Sequence, residues 1–182
     1  MVRAWYMTDT DEDQREPHMP DPPAFLSRQQ LKERTGAEFL QFNSDTWETD
    51  EGYAALKKER GYTYEDVCEI SRETLPNYDE KLKTFFTEHI HSDEEIRFIV
   101  KGSGYFDLRD IDDKWVRIEV TKDDLLIVPA GIYHRFTLDT SNYIKVKRLF
   151  VGEPVWTPIN RPGADEHPVR KDYLQAMTRV ES

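Results

Sequence analysis

Cysteine is almost absent from this 182-residue chain: Cys68 stands alone. A single thiol forms no internal disulfide and builds no cysteine-type zinc site, so packing has to hold the fold, and a reducing compartment is the expected home. Positive charge is also scarce, with 25 Lys and Arg against 36 Asp and Glu and a formal net charge of −11. Such a surface repels phosphate backbones and anionic headgroups, which argues against nucleic acid or a membrane surface as partner. No stretch approaches the ~18 consecutive apolar residues of a membrane span. The segment Met1 to Met7 lacks a long apolar core, so no secretory signal is expected. Hydrophobic residues make up only 37%, against ~45–50% in globular chains on a count that includes glycine. The 12% that are Phe, Trp or Tyr make up the deficit, because each aromatic side chain buries a large area. Length and composition together fit one domain.

Along the chain, Val2 to Met7 reads as a first strand, and Thr8 to Pro23, acidic and proline-rich, as an extended surface loop. Ser27 with Gln30 has the spacing of a capping box, Leu26 and Leu31 that of a hydrophobic staple, and Gly36 ends the helix. Ala37 to Phe42 alternates like a strand. Residues 50–86 are expected to be helical, interrupted at Gly61 and Pro76, with Cys68 on an apolar helical stripe. Asn77 is expected to cap the last helix, whose Tyr78, Leu82 and Phe85 share one side. From Phe86 the period changes to two. Strands are expected near 86–91, 95–100, 104–109, 115–120, 125–128, 133–138 and 143–151. Turns are expected at Gly102-Ser103-Gly104 and over Asp110 to Asp113. Regularly spaced short strands indicate an all-β sandwich or barrel. Four prolines after Gly152 indicate a surface wrap before a short helix at 169–178.

Three of the five histidines fall in the β region. His89 and His91 are two apart, so on a strand they project from one face, roughly 6.6 Å apart. Glu95 follows four residues later and shares a face with Arg97. A turn at Ser92-Asp93-Glu94 brings that face beside the histidines, and parity favours Glu95 over Glu94 as the acidic partner. Pro129-Ala130-Gly131 makes a tight turn before His134, and barrel pairing can return His134 to the first pair. Three imidazoles and a carboxylate suit Fe(II), Ni(II), Mn(II) or Zn(II), and on an octahedral ion they leave two positions open. A His-x-His pair alone arises by chance, and it is the joint pattern through Gly102 and Pro-x-Gly-x-x-His that carries the reading. His18 and His167 sit in proline-rich loops and are not expected to be ligands.

This pattern resembles the cupin motifs. His89, His91, Glu95 and Gly102 match the first, and Pro129, Gly131 and His134 the second. Lys83, Asp123 and Leu138 depart from it at turn and packing positions, away from the ligands. The resemblance implies a mainly β fold: a cupin-type double-stranded β-helix, or jelly-roll, barrel with helices in the N-terminal half and a short C-terminal helix. One domain over 1–182 is expected, with a strand and helices over 1–85, the barrel and metal site over 86–151 and a C-terminal wrap over 152–182. The text from Glu88 to Arg97, from Pro129 to Thr137 and from Arg148 to Trp156 is similar to the acireductone dioxygenase family of methionine salvage, its eukaryotic branch most closely. Ala4 to Met7 and Leu75 to Tyr78 share the likeness.

That resemblance implies one Fe(II) or Ni(II) per chain held by His89, His91, Glu95 and His134. The implied substrates are the acireductone 1,2-dihydroxy-3-oxo-5-(methylthio)pent-1-ene and O₂. The Fe(II) form is expected to give 4-methylthio-2-oxobutanoate and formate. The Ni(II) form is expected to give methylthiopropanoate, formate and carbon monoxide. Arg97 is expected to be catalytic by pairing with the substrate anion, and Phe85, Arg97, Phe136 and Arg148 to line the substrate site. Phe85 is placed there by strand parity with His89. Phe106 and Trp156 are further candidates for the wall around the methylthio tail. A monomer is expected, without nucleic-acid or membrane partners, in the cytoplasm with a nuclear pool. Two other readings share the metal set: another metal-dependent cupin oxidase or isomerase, and a catalytically idle cupin used as a binding module.

Overall fold

The computed structural model describes residues 3–180. Met1 and Val2, the latter the expected start of the first strand, lie outside the described residues, as do Glu181 and Ser182. β1 (Arg3–Tyr6) and β2 (Phe25–Leu26) pair antiparallel across the irregular acidic segment between them. α1 (Arg28–Thr35) begins at the expected capping box. The Gln30 N–H donates to Ser27 Oγ at 3.1 Å, and the Ser27 N–H donates to Gln30 Oε1 at 2.9 Å. Leu26 and Leu31 are both buried beside it. β3 (Glu38–Gln41) and α2 (Glu51–Arg60) follow.

Residues 50–86 are not one helical region. Gly61 ends α2 in the left-handed conformation, and β4 (Tyr64–Ile70) comes next. All seven of its residues pair with β10 (Ile144–Phe150). The i, i+3 spacing of Val67 and Ile70 fits a helix, but pairing with a distant strand decides the outcome for so short a run. Cys68 therefore sits on a strand and not on a helical stripe. α3 (Tyr78–Phe86) then packs Tyr78, Leu82 and Phe85 on the core. Asn77 stands at its N-cap position, but with φ 55° its side chain makes no capping bond.

The β region contains β5 (His89–Ile90), β6 (Glu95–Arg109), β7 (Trp115–Thr121), β8 (Asp124–Val128), β9 (His134–Leu138), β10 and β11 (Ile159–Asn160). The strand expected over 86–91 shrinks to β5, because α3 runs on through Phe86. The two strands expected over 95–100 and 104–109 are one. No turn forms at Gly102-Ser103-Gly104; instead β6 passes there from one sheet to the other. Its first half pairs with β8 and β10, and its second half with β7 and β9. Gly102 makes the passage with φ 79°, and a Cβ there would lie 2.3 Å from the Tyr143 carbonyl oxygen. The inner faces of both sheets share one core, which takes in Ala4 of β1, Ile99 and Phe106 of β6 and Val146 of β10. α4 (Pro168–Val180) adds Tyr173 and Met177 to it.

One polar device lies inside. Arg117 of β7 is fully buried, donates to both carboxylate oxygens of Asp107 at 2.7 and 2.8 Å, and reaches the Gln14 carbonyl at 3.0 Å and that of Glu16. It ties the acidic segment between β1 and β2 to the barrel, with help from Trp5 Nε1 bonded to the Pro17 carbonyl at 2.9 Å. Removing the cation leaves buried Asp107 with Arg135 as its remaining guanidinium, at 2.9 Å, and takes a donor from two carbonyls. Arg117→Met is expected to cost about 3–5 kcal/mol in denaturant unfolding and to open residues 8–23 to limited proteolysis. A cost under about 1 kcal/mol with no new cleavage would refute the role.

Candidate active site

His89 and His134 are direct partners across the β5–β9 ladder. His91 follows β5 by one residue, and its carbonyl accepts from the Gly131 N–H at 3.0 Å. Gly131, φ 83°, shapes the turn that delivers His134, and a Cβ there would lie 2.4 Å from the Val169 carbonyl oxygen. Ring centroids of the three imidazoles stand 4.6, 4.9 and 5.3 Å apart, and one ligand atom from each lies within 4.8 Å of the others. Glu95 opens β6 beside them, with Oε2 at 2.7 Å from His134 Nε2 and 3.9 Å from His91 Nε2. Glu94 points away, to the hydroxyl of Tyr62. His18 and His167 are spent on loop contacts with Asp13, Thr10 and Val169.

The ring protons are fixed by backbone. Nδ1 of His89 faces the Thr87 carbonyl, Nδ1 of His134 the Ile132 carbonyl at 2.9 Å, and Nδ1 of His91 the Thr157 carbonyl at 3.3 Å. A carbonyl only accepts, so each Nδ1 carries a proton, and in a neutral ring that leaves Nε2 as the lone-pair donor. Outer carbonyls of this kind orient metal-ligating histidines. Nε2 of His134 stands 2.7 Å from Oε2 of Glu95, a contact that a shared proton or a divalent ion would satisfy. Burial lowers the pKa of His89 to about 4, helped by repulsion from His134. Burial also lowers His91, against the pull of Glu95. Burial pushes the Glu95 carboxyl up, but Arg97, the His134 bond and the neighbouring imidazoles outweigh it and hold it well below the ordinary range. Neutral His89 and His91, with His134 and the Glu95 carboxylate beside them, make a donor set that fits a borderline divalent metal.

Beside Glu95 opens a narrow cavity of about 80 Å³. All four residues expected at the substrate site, Phe85, Arg97, Phe136 and Arg148, line it. Phe85 arrives from α3 and not by strand parity; its ring meets that of Phe136 at 6.2 Å, and Phe106 stacks on the other side at 4.9 Å. Arg97 forms an ion pair with Glu95, Nη2 to Oε1 at 2.8 Å, and burial lowers its pKa while Glu95 opposes the shift. Arg148 is directly opposite Arg97 across the β6–β10 ladder and is clamped by Asp66 at 2.8 and 2.6 Å. Trp156 does not line the cavity; its ring lies under Arg148 at 4.3 Å and Arg97 at 5.5 Å. Asp66, Cys68 and Ile70 escaped the sequence reading because β4 read as helix. The aromatic and β-branched run after Gly61 was the available signal. Open clefts of about 860 and 770 Å³ elsewhere contain none of the expected site residues.

Comparison with known proteins agrees with this geometry. The model of the ARD/ARD' family matches residues 3–158. An acireductone dioxygenase of Ixodes scapularis is 61% identical over 97% of both chains. One of Branchiostoma floridae is 60% identical over 97% of this chain and 98% of its own. The solved structure of acireductone dioxygenase from Bacillus anthracis, with a cadmium ion in its active center, matches at TM-score 0.68 and 25% identity. That match covers 87% of this chain and 98% of the other, and the fold is the cupin-type barrel that the motifs implied.

Protons compete with metal for the imidazoles, and an imidazolium ligates nothing. Because burial keeps His89 neutral down to about pH 4, metal retention is expected to survive through the ordinary histidine range near 6.5 and to fail only below it. Metal content after dialysis at stepped pH reads this directly. A midpoint at 6.5 or higher would mean the histidines are not held as described.

Proposed function

The chain belongs to the ARD/ARD' family of dioxygenases, and on that premise we propose that it cleaves 1,2-dihydroxy-3-oxo-5-(methylthio)pent-1-ene with O₂ at one divalent ion. His89, His91, Glu95 and His134 would hold the ion, and Phe85, Arg97, Phe136 and Arg148 would line the substrate site. The observation that carries this reading is the joining of two halves at Glu95, whose carboxylate touches both the histidine cluster and Arg97. A bound Fe(II) or Ni(II) would supply Lewis acidity toward the substrate enediol.

The protein's own groups do the rest. Two guanidiniums face each other across the ladder at Arg97 and Arg148. Like charges so placed disfavour folding and favour an anion at the cavity mouth. Asp66 and the Trp156 ring hold Arg148 in place, and Arg97 stays protonated at any physiological pH. Phe85, Phe106 and Phe136 exclude water from the reacting end and offer the tail an apolar wall. The single cysteine fits a reducing compartment, so the proposed setting is the cytoplasm, with a nuclear pool. Among the described residues the large exposed hydrophobics are spread over β2, β4, the segment after β10 and α4, which supports a monomer.

Arg97→Ala is expected to keep its metal and lose about 10- to 150-fold in turnover, the worth of a charge-assisted contact of roughly 1.5–3 kcal/mol. Unchanged kinetics would make Arg97 structural. The same four ligands serve either ion, so product choice should follow the metal. Apo-protein loaded with Fe(II) is expected to give 4-methylthio-2-oxobutanoate and formate without gas. Loaded with Ni(II) it is expected to give methylthiopropanoate, formate and carbon monoxide. Headspace gas analysis separates the two, and identical products from both ions would show that the protein shell sets the outcome.

A further inference from the structure

The inner face of the β4–β10 pair carries three successive rungs. Asp66 is opposite Arg148, Cys68 opposite Val146, and Ile70 opposite Ile144. Side chains two apart on a strand share a face, and each rung lies about 6.7 Å beyond the last. Arg148, Cys68, Val146, Ile70 and Ile144 all line the cavity that begins at Glu95. Its wall therefore changes from ionic to soft to purely aliphatic along one axis. At the far rung Ile70 is 6% exposed and Ile144 fully buried, so the cavity is closed there by core. Its volume is about 80 Å³, a slender space that suits a narrow apolar tail.

We propose that the Cys68–Val146 and Ile70–Ile144 rungs form a gauge for the length of the substrate's apolar tail, with the isoleucine pair as its stop. The inference rests on the acireductone reading above and adds the residues that set chain-length specificity. A ligand whose anionic head meets Arg97 and Arg148 has one direction left for its tail, along the rungs. The Cys68 thiol is the smallest side chain on this path, so it sets the bore, whereas Ile70 and Ile144 set the depth. The aromatic trio of Phe85, Phe106 and Phe136 forms the side wall and does not limit length.

The test uses metal-loaded full-length protein with the methylthio acireductone and its butylthio homologue. The ratio of their kcat/KM values on one preparation cancels any inactive fraction. Wild type is expected to favour the methylthio compound by about 10-fold or more, since each methylene against a closed wall discriminates by roughly 10–200-fold. Ile70→Ala deepens the bore and is expected to lower that ratio about 10-fold. Cys68→Leu narrows it and is expected to raise the ratio. Calorimetric dissociation constants for 4-methylthio-2-oxobutanoate and its butylthio homologue give the same comparison without turnover and should follow the same order. Each variant decides independently, so loss of folding in one leaves the other to judge. A ratio within about twofold of wild type in either folded variant overturns the gauge, as does a wild type that accepts both tails equally. A wild type that turns over neither compound overturns the proposed function first, and the gauge with it.

Discussion

Everything at this site depends on where three ring protons sit. Backbone carbonyls of Thr87, Ile132 and Thr157 claim Nδ1–H of His89, His134 and His91, so three Nε2 atoms face one point beside Glu95. That arrangement is bought by secondary structure: two of the carbonyls lie two residues before their own histidine, and the third comes from the segment that carries Trp156. A side-chain partner could rotate away, whereas a main-chain carbonyl moves only with its backbone. Burial then keeps at least His89 and His91 neutral, so little proton release stands between the folded protein and a bound ion.

The same barrel geometry supplies the opposite character a few ångströms away. β6 enters at Glu95, places Arg97 on the next inward position and lies beside β10 so that Arg148 faces it. Asp66 reaches the pair only because β4 adds to the edge of β10. The cavity thus has an acidic end at Glu95, a cationic shoulder and an aliphatic end. That sequence of environments matches a small molecule with a chelating, acidic head and a short apolar tail.

Much of this was legible in the sequence, for physical reasons. Strand parity placed Glu95 and Arg97 on one face, and the Pro129–Gly131 turn before His134 was recognisable because left-handed backbone selects glycine. The capping box at Ser27 and Gln30 was local chemistry and was read without tertiary information. Two errors had one origin, namely that pairing between distant strands is invisible in a short window. β4 read as helix because Val67 and Ile70 match both periods, so Cys68, Ile70 and Asp66 were left out of the site. Gly102 read as a hairpin turn, although its positive φ serves to carry one strand from sheet to sheet. Phe85 lines the cavity by another route than strand parity, since α3 delivers its ring from outside the sheet.

The central claim is that His89, His91, His134 and Glu95 together form the coordination sphere of one ion. X-ray absorption at the metal edge of the protein loaded with one equivalent of Fe(II) or Ni(II) measures that sphere without substrate. The account predicts three imidazole ligands with the remaining scatterers oxygen. Two or fewer imidazoles, or any sulfur scatterer from Cys68, would contradict it.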